Sequence, residues 1–375
     1  MKKMKKLGFG LMRLPLLDKN NSADIDIETL KEMVDIFMKR GFTYFDTAWM
    51  YNSFESENAI RKALVERYPR DSYTLATKLH SSFFKTVEER EEMFNEQLKK
   101  TGAGYFDYYL IHSIDASSII KYEELDCFEW LKQKKSAGLV HHMGFSFHDK
   151  ADLLDKVLTS HPEMEFVQLQ INYLDWENEE VQSHACYEVA MKHGKQVVIM
   201  EPVKGGTLAK LPPEAEKMFA EREPDMSPSS WAVRFAASLP GVMMVLSGMS
   251  TPEQVDDNTN YMQEFKPLTD EEIEMCHRAA KIVKEAATIP CTACSYCTDG
   301  CPMNIAISQY FSLYNEEMQD KMYNIGWKDN GPKYLELNEN FAKASACIEC
   351  GNCESVCPQH IKIIDELKNI AEHYE

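Results

Sequence analysis

Two cysteine runs near the end of the chain have the residue types and spacing to hold redox-active metal. They are Cys291-x2-Cys294-x2-Cys297-x3-Cys301-Pro302 and Cys347-x2-Cys350-x2-Cys353-x3-Cys357-Pro358. This spacing puts three thiolates into one tight loop, and a fourth cysteine before a proline reaches the other cluster in proteins with two cubane iron–sulfur clusters. The spacing therefore predicts two [4Fe-4S] clusters and a protein that transfers electrons.

The two predicted ligand sets cross over between the runs. One set is Cys291, Cys294, Cys297 and Cys357, and the other is Cys347, Cys350, Cys353 and Cys301. Structural zinc is the alternative, but a zinc site closes with four ligands and does not need a fourth cysteine before proline in both runs. Disulfides are favoured even less. The remaining cysteines, Cys127, Cys186 and Cys276, occur singly and are interpreted as small buried hydrophobic residues.

A second group of reactive side chains follows short apolar runs in the first third of the chain. Asp46 ends the run 43–46 and Tyr51 follows it closely, while Lys78 ends the run 73–78 and His112 ends the run 106–112. If these runs are neighbouring parallel strands, their carboxyl ends meet at one edge of a sheet. Each residue alone would more often be structural. Together, on consecutive strands, they indicate a shared site.

The elements that must position these residues are predicted by alternating apolar and helix-period segments. The predicted strands are 7–12, 43–46, 73–78, 106–112, 140–146, 166–172, 196–200 and 242–247. Helical periodicity recurs between them in segments such as 27–40, 56–68, 87–100 and 179–193. Strand–helix units repeated over about 250 residues predict an α/β fold of the (β/α)8, or TIM barrel, type. No Gly-x-Gly-x-x-Gly turn of an open dinucleotide-binding sheet follows an early strand.

Two domains are predicted. Residues 1–288 form the barrel, which ends in a helix over 269–287, and Ile289-Pro290 breaks the chain. Residues 289–375 form a mostly α-helical, ferredoxin-like domain with two clusters, including a helical segment at 307–314 between the cysteine runs.

The residues at the strand ends resemble the motifs of the aldo-keto reductases. Asp46-Thr47-Ala48-x-x-Tyr51, the Lys78 strand and Tyr109-Leu110-Ile111-His112 carry the resemblance, which covers about residues 7–285. It implies a carbonyl reductase in which Tyr51 protonates the carbonyl oxygen. Lys78, held by Asp46, would lower the pKa of this tyrosine from its ordinary value of about 10. His112 would orient the substrate oxygen through a hydrogen bond.

The same resemblance implies a nicotinamide cofactor. Ser146 and Gln170 match the positions that hold its carboxamide, and Asn258 matches an adenine contact. Met200 stands where an aromatic ring stacks on the nicotinamide. The positions that supply cations to the 2′-phosphate of NADPH read Gly248, Met249 and Gln254. A dianionic phosphate needs arginine or lysine partners, so the resemblance does not imply a strong preference for NADPH.

Glycine turns follow the last two predicted strands, where barrels commonly bind phosphate. They are Lys204-Gly205-Gly206 and Ser247-Gly248-Met249-Ser250. The alternative is that both are simply flexible turns. Cubane clusters pass single electrons and a nicotinamide passes a hydride, so an exchange between them needs a converter such as a flavin. FMN, with a single phosphate, is therefore predicted, and NADH or NADPH is the alternative.

Three functions follow from these features. The first is an oxidoreductase in which electrons cross the two clusters to a flavin in the barrel and reduce a small organic substrate, with a one-electron donor such as ferredoxin as partner. The second is an NAD(P)H-dependent carbonyl reductase with structural or regulatory clusters. The third is an electron-carrier or redox-sensor subunit, against which the intact set of Asp46, Tyr51, Lys78 and His112 argues.

Composition narrows the partners and the compartment. A formal net charge of −19 argues against nucleic acid and anionic membranes as partners. Oxygen-sensitive clusters, the lack of a signal peptide and the lack of an apolar run of about 18 residues predict the cytoplasm. Aromatic candidates for an apolar substrate pocket are Trp49, Phe83, Phe84, Tyr173 and Trp176.

Overall fold

Eight parallel strands close into a barrel whose strand order is the sequence order. The structure, a computed structural model, describes residues 4–18, 21–286, 289–323 and 329–375. The strands are β1 (Leu7–Gly10), β2 (Tyr44–Asp46), β3 (Thr74–Leu79), β4 (Phe106–Ile114), β5 (Val140–Phe147), β6 (Phe166–Gln170), β7 (Gln196–Met200) and β8 (Val242–Gly248). The predicted (β/α)8 fold is therefore confirmed.

Helices follow the strands along the chain, as the helical periodicity predicts. They are α1 (Ile27–Lys39), α2 (Tyr51–Phe54), α3 (Ser56–Ile60), α4 (Val87–Thr101), α5 (Ser118–Glu124), α6 (Cys127–Ser136), α7 (Ala151–Ser160), α8 (Ser183–Lys192), α9 (Pro213–Arg222), α10 (Pro228–Ser238), α11 (Pro252–Gln263) and α12 (Asp270–Ala286). Side-chain caps fix where several begin: Asp26 accepts a hydrogen bond from Thr29 N at 3.0 Å and starts α1. The single helix predicted over 56–68 is instead α3 followed by a π-helical turn at Arg61–Val65.

A layer of large side chains fills the inside of the barrel. Tyr44 from β2, Leu110 from β4 and Phe166 from β6 belong to one buried cluster. Gly144 in β5 makes room for it, because a Cβ atom there would lie 2.5 Å from the carbonyl oxygen of Phe166 and 2.7 Å from its ring. The interior is therefore packed, and reactive side chains are confined to the strand ends.

By its contacts the chain divides into two compact units. The first comprises Met1–Glu177, Gln182–Pro202 and Ser230–Thr269, and the second comprises Asn178–Val181, Val203–Ser229 and Asp270–Glu375. The second unit thus includes the segment that follows β7, together with α9 and α12. The predicted boundary lies between residues 288 and 289. Residues 287 and 288 lie outside the described residues.

The cysteine-rich part of the second unit is helical, as predicted. Its helices are α13 (Tyr296–Asp299), α14 (Ile307–Tyr323), α15 (Gly331–Leu337), α16 (Asn352–Ser355) and α17 (Ile363–Tyr374). Its core contains aromatic side chains such as Tyr310, Phe311 and Tyr334 and also two of the cysteines, Cys297 and Cys353. No helix among the described residues is long and apolar enough to cross a membrane.

This region contains an internal duplication with an offset of 56 residues. The four cysteines of the first run recur at this offset, as Cys291 does at Cys347. The starts of α13 and α14 recur at the starts of α16 and α17. The left-handed backbone positions obey the same offset, since Ala293, Ser295 and Asn304 recur at Glu349, Gly351 and His360. The two cysteine loops therefore share one backbone conformation.

Candidate active site and cysteine cavities

Four of the predicted site residues come together at the carboxyl end of the barrel. Nζ of Lys78 in β3 donates hydrogen bonds to Oδ1 of Asp46 at 2.5 Å and to the carbonyl oxygen of Thr47 at 2.7 Å. The same nitrogen lies 5.1 Å from the centroid of the Tyr51 ring. The ring centroids of Tyr51 and His112 are 6.2 Å apart. Strands β2, β3 and β4 are neighbours in the barrel, which is why residues distant in sequence meet here.

Burial controls the ionisation of these groups. It raises the pKa of the Asp46 carboxyl and lowers the pKa of the Lys78 ammonium, while the pairing of the two opposes both shifts. Burial, followed by the negative charge of Asp46, raises the pKa of Tyr51 well above its ordinary value. Burial also lowers the pKa of His112 well below its ordinary value. At neutral pH the tyrosine therefore carries its proton and the histidine is uncharged.

One expectation about this site stays a prediction. The sequence predicts that Lys78 lowers the pKa of Tyr51, and in the structure burial is the largest contribution and raises this pKa overall. The hydrogen bonds of Nζ go to Asp46 and to the backbone of Thr47. The cation nevertheless lies beside the tyrosine ring, where the predicted role needs it.

A buried polar network lies behind Lys78 and fixes its strand. Oε1 of Glu57 accepts hydrogen bonds from Oγ1 of Thr77 at 2.7 Å and from Nε2 of Gln97 at 2.8 Å. Nε2 of Gln97 also lies 3.0 Å from the carbonyl oxygen of Lys78, and Oε1 of Gln97 accepts from the hydroxyl of Tyr109 at 2.6 Å. Burial raises the pKa of Glu57. Helix α4 is thereby tied to the strand that carries the lysine.

Three charged or titratable residues at this site were missed from the sequence. His80 follows β3, and its ring centroid lies 5.0 Å from that of His112; burial lowers its pKa to about 4. Arg13 and Glu201 follow β1 and β7, with Nη2 and Oε1 3.7 Å apart. After burial and Asp46, the charge of Glu201 raises the pKa of Tyr51 and that of Arg13 lowers it, so both face the tyrosine. The signal available was their position directly after predicted strands.

The residues predicted to contact an organic cofactor lie at the ends of β5 to β8 and bond to neighbouring loops. Oγ of Ser146 accepts from Ser113 N at 2.7 Å, and Nε2 of Gln170 donates to Oδ2 of Asp175 at 2.9 Å. Sδ of Met200 accepts from Nε2 of Gln168 at 3.4 Å. Their role towards a cofactor stays a prediction.

The end of β8 holds the remaining predicted contacts. Nδ2 of Asn258 donates to Oγ of Ser247 at 2.7 Å, and Oε1 of Gln254 accepts from Ser250 N at 2.7 Å. A Cβ atom on Gly248 would lie 3.3 Å from Cδ of Arg13. The aliphatic part of the Arg13 side chain therefore packs beside this strand end, and its guanidinium lies 3.7 Å from Glu201.

The glycine turn after β7, at which the sequence predicts a phosphate site, lies beside Gln359 and Thr292. Lys204 is buried, and its Nζ donates to Oε1 of Gln359 at 2.8 Å. A Cβ atom on Gly205 would lie 2.3 Å from the carbonyl oxygen of Thr292, and Gly205 and Gly206 have φ values of 62° and 105°. The turn needs glycine because it packs against the first cysteine loop. Its assignment to a phosphate site stays a prediction.

Aromatic side chains follow the same strand ends. The Phe54 ring centroid lies 6.1 Å from that of Trp49 and 5.4 Å from that of Phe83, and both phenylalanines are exposed. Phe84 and Tyr173, which were also candidates for the substrate pocket, are buried core residues. Trp176 stacks on the His184 ring at a centroid distance of 4.4 Å.

The eight predicted metal-ligating cysteines line two cavities, four in each. The first cavity, of about 310 Å³, is lined by Cys291, Cys294, Cys297 and Cys357. The second cavity, of about 320 Å³, is lined by Cys301, Cys347, Cys350 and Cys353. The structure thus brings together the two crossed sets that the sequence predicts.

The chemistry of both cavities fits a cubane cluster. Each offers four soft thiolate donors with apolar neighbours, Ile361 and Ile363 in the first and Ile305 and Ile307 in the second. The backbone N–H of Ala293 also donates to Sγ of Cys291 at 3.3 Å. Among the described residues, no group of three or more His, Cys, Asp or Glu side chains is arranged to hold a single metal ion.

Family models match both parts of the chain. Residues 6–281 match the model of the aldo/keto reductase family, and residues 290–362 match that of a 4Fe-4S dicluster domain. The uncharacterized oxidoreductase YqkF of Bacillus subtilis (strain 168) is 24% identical over 298 residues, which are 72% of this chain and 90% of that protein. The 4-dihydromethyl-trisporate dehydrogenase of Mucor mucedo is 29% identical over 154 residues, which are 35% of this chain and 48% of that protein. The chain thus spans about half the length of the second relative.

Solved structures share the barrel. The holo form of the aldo-keto reductase AKR11C1 from Bacillus halodurans has a TM-score of 0.60 and 24% identity, with 74% of this chain and 92% of that chain covered. The aldo-keto reductase from Klebsiella pneumoniae in complex with NADPH has a TM-score of 0.58 and 16% identity, with 74% and 95% covered. At these identities the likeness shows the fold. With the family match over 6–281 and the closed barrel, the chain belongs to the aldo/keto reductase family and is an oxidoreductase of that family with a C-terminal 4Fe-4S dicluster domain.

Proposed function

We propose that the barrel reduces the carbonyl group of a small organic compound, with Tyr51 as the proton donor. The observation that carries this proposal is the contact of Lys78 with both the Asp46 carboxylate and the Tyr51 ring at the carboxyl end of the barrel. A tyrosine with a raised pKa holds its proton at neutral pH, as a general acid must. The exposed aromatic rings of Phe54 and Phe83 favour an apolar substrate.

Each of the other residues supports the proton transfer. The reductant, when bound, supplies a hydride equivalent to the carbonyl carbon, and the proton from Tyr51 completes the alcohol. Lys78 stabilises the tyrosinate that is left, because its cation lies beside the ring. Asp46 keeps the lysine in place through the 2.5 Å hydrogen bond. His112, uncharged through burial, positions the substrate oxygen without adding a charge.

The two cysteine quartets would hold [4Fe-4S] clusters, which exchange one electron at a time when bound. Electron counting then favours a flavin as the converter between single electrons and a hydride equivalent. Under this proposal the partner is a one-electron donor protein such as a ferredoxin, and the compartment is the reducing cytoplasm.

A second candidate is an NAD(P)H-dependent carbonyl reductase whose clusters are structural or regulatory. Two observations favour it: the Klebsiella pneumoniae structure contains NADPH, and Arg13 of this chain lies beside Gly248 at the end of β8. A cation there is what a cofactor phosphate needs.

Anaerobically purified protein separates the two candidates. We expect flavin fluorescence in the supernatant after denaturation, and substrate reduction with reduced ferredoxin that is lost in Cys350→Ser. Cys127→Ser replaces a buried cysteine of the barrel; this variant is the matched control and should keep the activity. Full activity with NADH or NADPH after removal of both clusters, without any flavin, would instead establish the second candidate. No carbonyl reduction with any reductant would refute both.

A further inference from the structure

The two halves of the internal duplication differ at the positions that border the cysteine cavities. Thr292 and Gln359 line the first cavity, and both are buried. The equivalent residues 56 positions away, Ile348 and Met303, line the second cavity, and they are 59% and 37% exposed. The residues at these equivalent positions are therefore buried at the first cavity and exposed at the second.

The segment after β7 provides the cover at the first cavity. Gly205 approaches the backbone of Thr292 more closely than any residue with a Cβ could, and Nζ of Lys204 donates to Gln359 at 2.8 Å. Lys204 itself has a left-handed backbone with a φ of 46°, a conformation that residues other than glycine rarely adopt. A lysine has only donors, so it also fixes which end of the Gln359 amide faces it.

We infer that Lys204 is a positioning residue for the first cavity, whose buried ammonium raises the reduction potential of the cluster held there. This inference rests on the proposed function only in so far as the first quartet binds a [4Fe-4S] cluster. Reduction adds one electron to the cluster and neither forms nor breaks a bond, so the reduced form is the more negative one. A nearby cation stabilises that form, and potentials of such clusters respond to local charge, hydrogen bonds and exposure.

Burial makes this cation effective. Lys204 is only 2% exposed, so solvent and salt screen its charge weakly. Its hydrogen-bond partner Gln359 lines the cavity together with the four cysteines. The second cavity has Met303 at the position of Gln359, so that cluster serves as an internal reference within the same molecule.

Redox potentiometry monitored by electron paramagnetic resonance tests the inference on the cluster-loaded, full-length chain. In Lys204→Met we expect the first cluster to become harder to reduce. At a fixed potential its ratio of reduced to oxidised form should fall at least tenfold, which corresponds to a reduction potential lower by about 59 mV for one electron. The second cluster should keep its potential. Lys204→Arg retains the charge and should stay close to the wild type, and Lys210→Met removes an exposed lysine of the same segment and should change neither potential.

A further variant keeps the test decisive if Lys204→Met fails to assemble. Gln359→Glu leaves Lys204 in place but adds a carboxylate to the cavity wall, and it should also lower the potential of the first cluster. Unchanged potentials in Lys204→Met and Gln359→Glu with normal iron content, or an equal shift in Lys204→Arg, would overturn the inference. So would loss of the first cluster in both Lys204→Met and Gln359→Glu, since the role would then be structural. Absence of clusters from the wild type would instead contradict the proposed function.

Discussion

The carboxyl end of the barrel and the cysteine-rich region hold their reactive groups in different ways. In the barrel, Asp46, Lys78 and His112 project from strands that already have a complete core, the layer around Tyr44 and Phe166. Behind them, Glu57 and its partners form a separate polar support. The reactive groups of the barrel therefore lie outside its apolar core, and the buried Asp46–Lys78 pair contributes to the fold as well as to the site.

In the cysteine-rich region the reactive groups are part of the core itself. Cys297 and Cys353 belong to the buried cluster, and the other cysteines of the two cavities pack against it or line its cavities. The loops that carry them contain left-handed residues such as Ala293 and Glu349, a backbone conformation that costs free energy and needs surrounding structure to hold it. The comparison teaches that losing one group should stop chemistry in the barrel but weaken the fold around the cysteines.

The largest expected effect is loss of structure after removal of one buried cysteine. Cys353→Ala should lose the metal of the second cavity and make segments within 289–375 accessible to limited proteolysis, because metal binding and folding are coupled in small metal-built cores. The barrel should remain resistant. Cys127→Ala removes a buried barrel cysteine and is the control, with iron content unchanged. Equal protease resistance of Cys353→Ala and the wild type would contradict the comparison.

Next in size is the loss of activity in Tyr51→Phe. Removing the hydroxyl while keeping the ring should lower the rate of carbonyl reduction by about 10² to 10⁴, as expected for a general acid. Iron content and thermal stability should not change. Tyr187→Phe removes a hydroxyl that donates to the carbonyl oxygen of Pro240 and should leave the rate unaltered. Turnover in Tyr51→Phe at the wild-type rate would show that this tyrosine only packs.

In both regions the sequence predicts local features and misses contacts between residues that are distant along the chain. Strand ends and their polar residues are local features of alternating segments, so Asp46, Tyr51, Lys78 and His112 could be singled out together from consecutive predicted strands. Arg13 and Glu201 come together only because the barrel closes, which pairs β1 with β8 and brings β7 alongside.

The cysteine sets could be predicted because a known spacing implies the crossing of the fourth ligand. The contact of Lys204 with Gln359 could not, since it joins residues 155 positions apart with no repeated pattern. The approach of Gly205 to the backbone of Thr292 is equally hidden in the sequence. A glycine in a turn reports close approach of the backbone, but not which group approaches it.

A smaller effect is expected from the polar support behind Lys78. Glu57→Gln keeps the shape of the side chain but replaces one of its two oxygens with an amide nitrogen, so either the acceptor for Nε2 of Gln97 or the anionic partner of Nζ of Lys100 is lost. Disturbing a buried hydrogen-bond network of this kind should lower the free energy of unfolding of the barrel by about 1 to 3 kcal/mol, measured by urea denaturation. Glu66→Gln alters an exposed carboxylate that pairs with Arg61 and should change it far less. Identical losses in both variants would show that Glu57 has no special supporting role.

Per pH unit, the smallest predicted effect is the acid sensitivity that His80 confers on the barrel. Burial, with a further contribution from His148, lowers the pKa of His80 from 6.5 to about 4. The unfolded chain therefore binds more protons than the folded one between these values, so His80 contributes to stability above pH 6.5 and the contribution is lost as the pH falls towards 4. One proton changes the free energy of unfolding by at most about 1.4 kcal/mol per pH unit. His80→Gln should flatten the slope measured by urea denaturation between these two pH values. An unchanged slope in His80→Gln would mean that the imidazole is hydrated enough to titrate normally, and the site around His112 would then be more open to water than the geometry indicates.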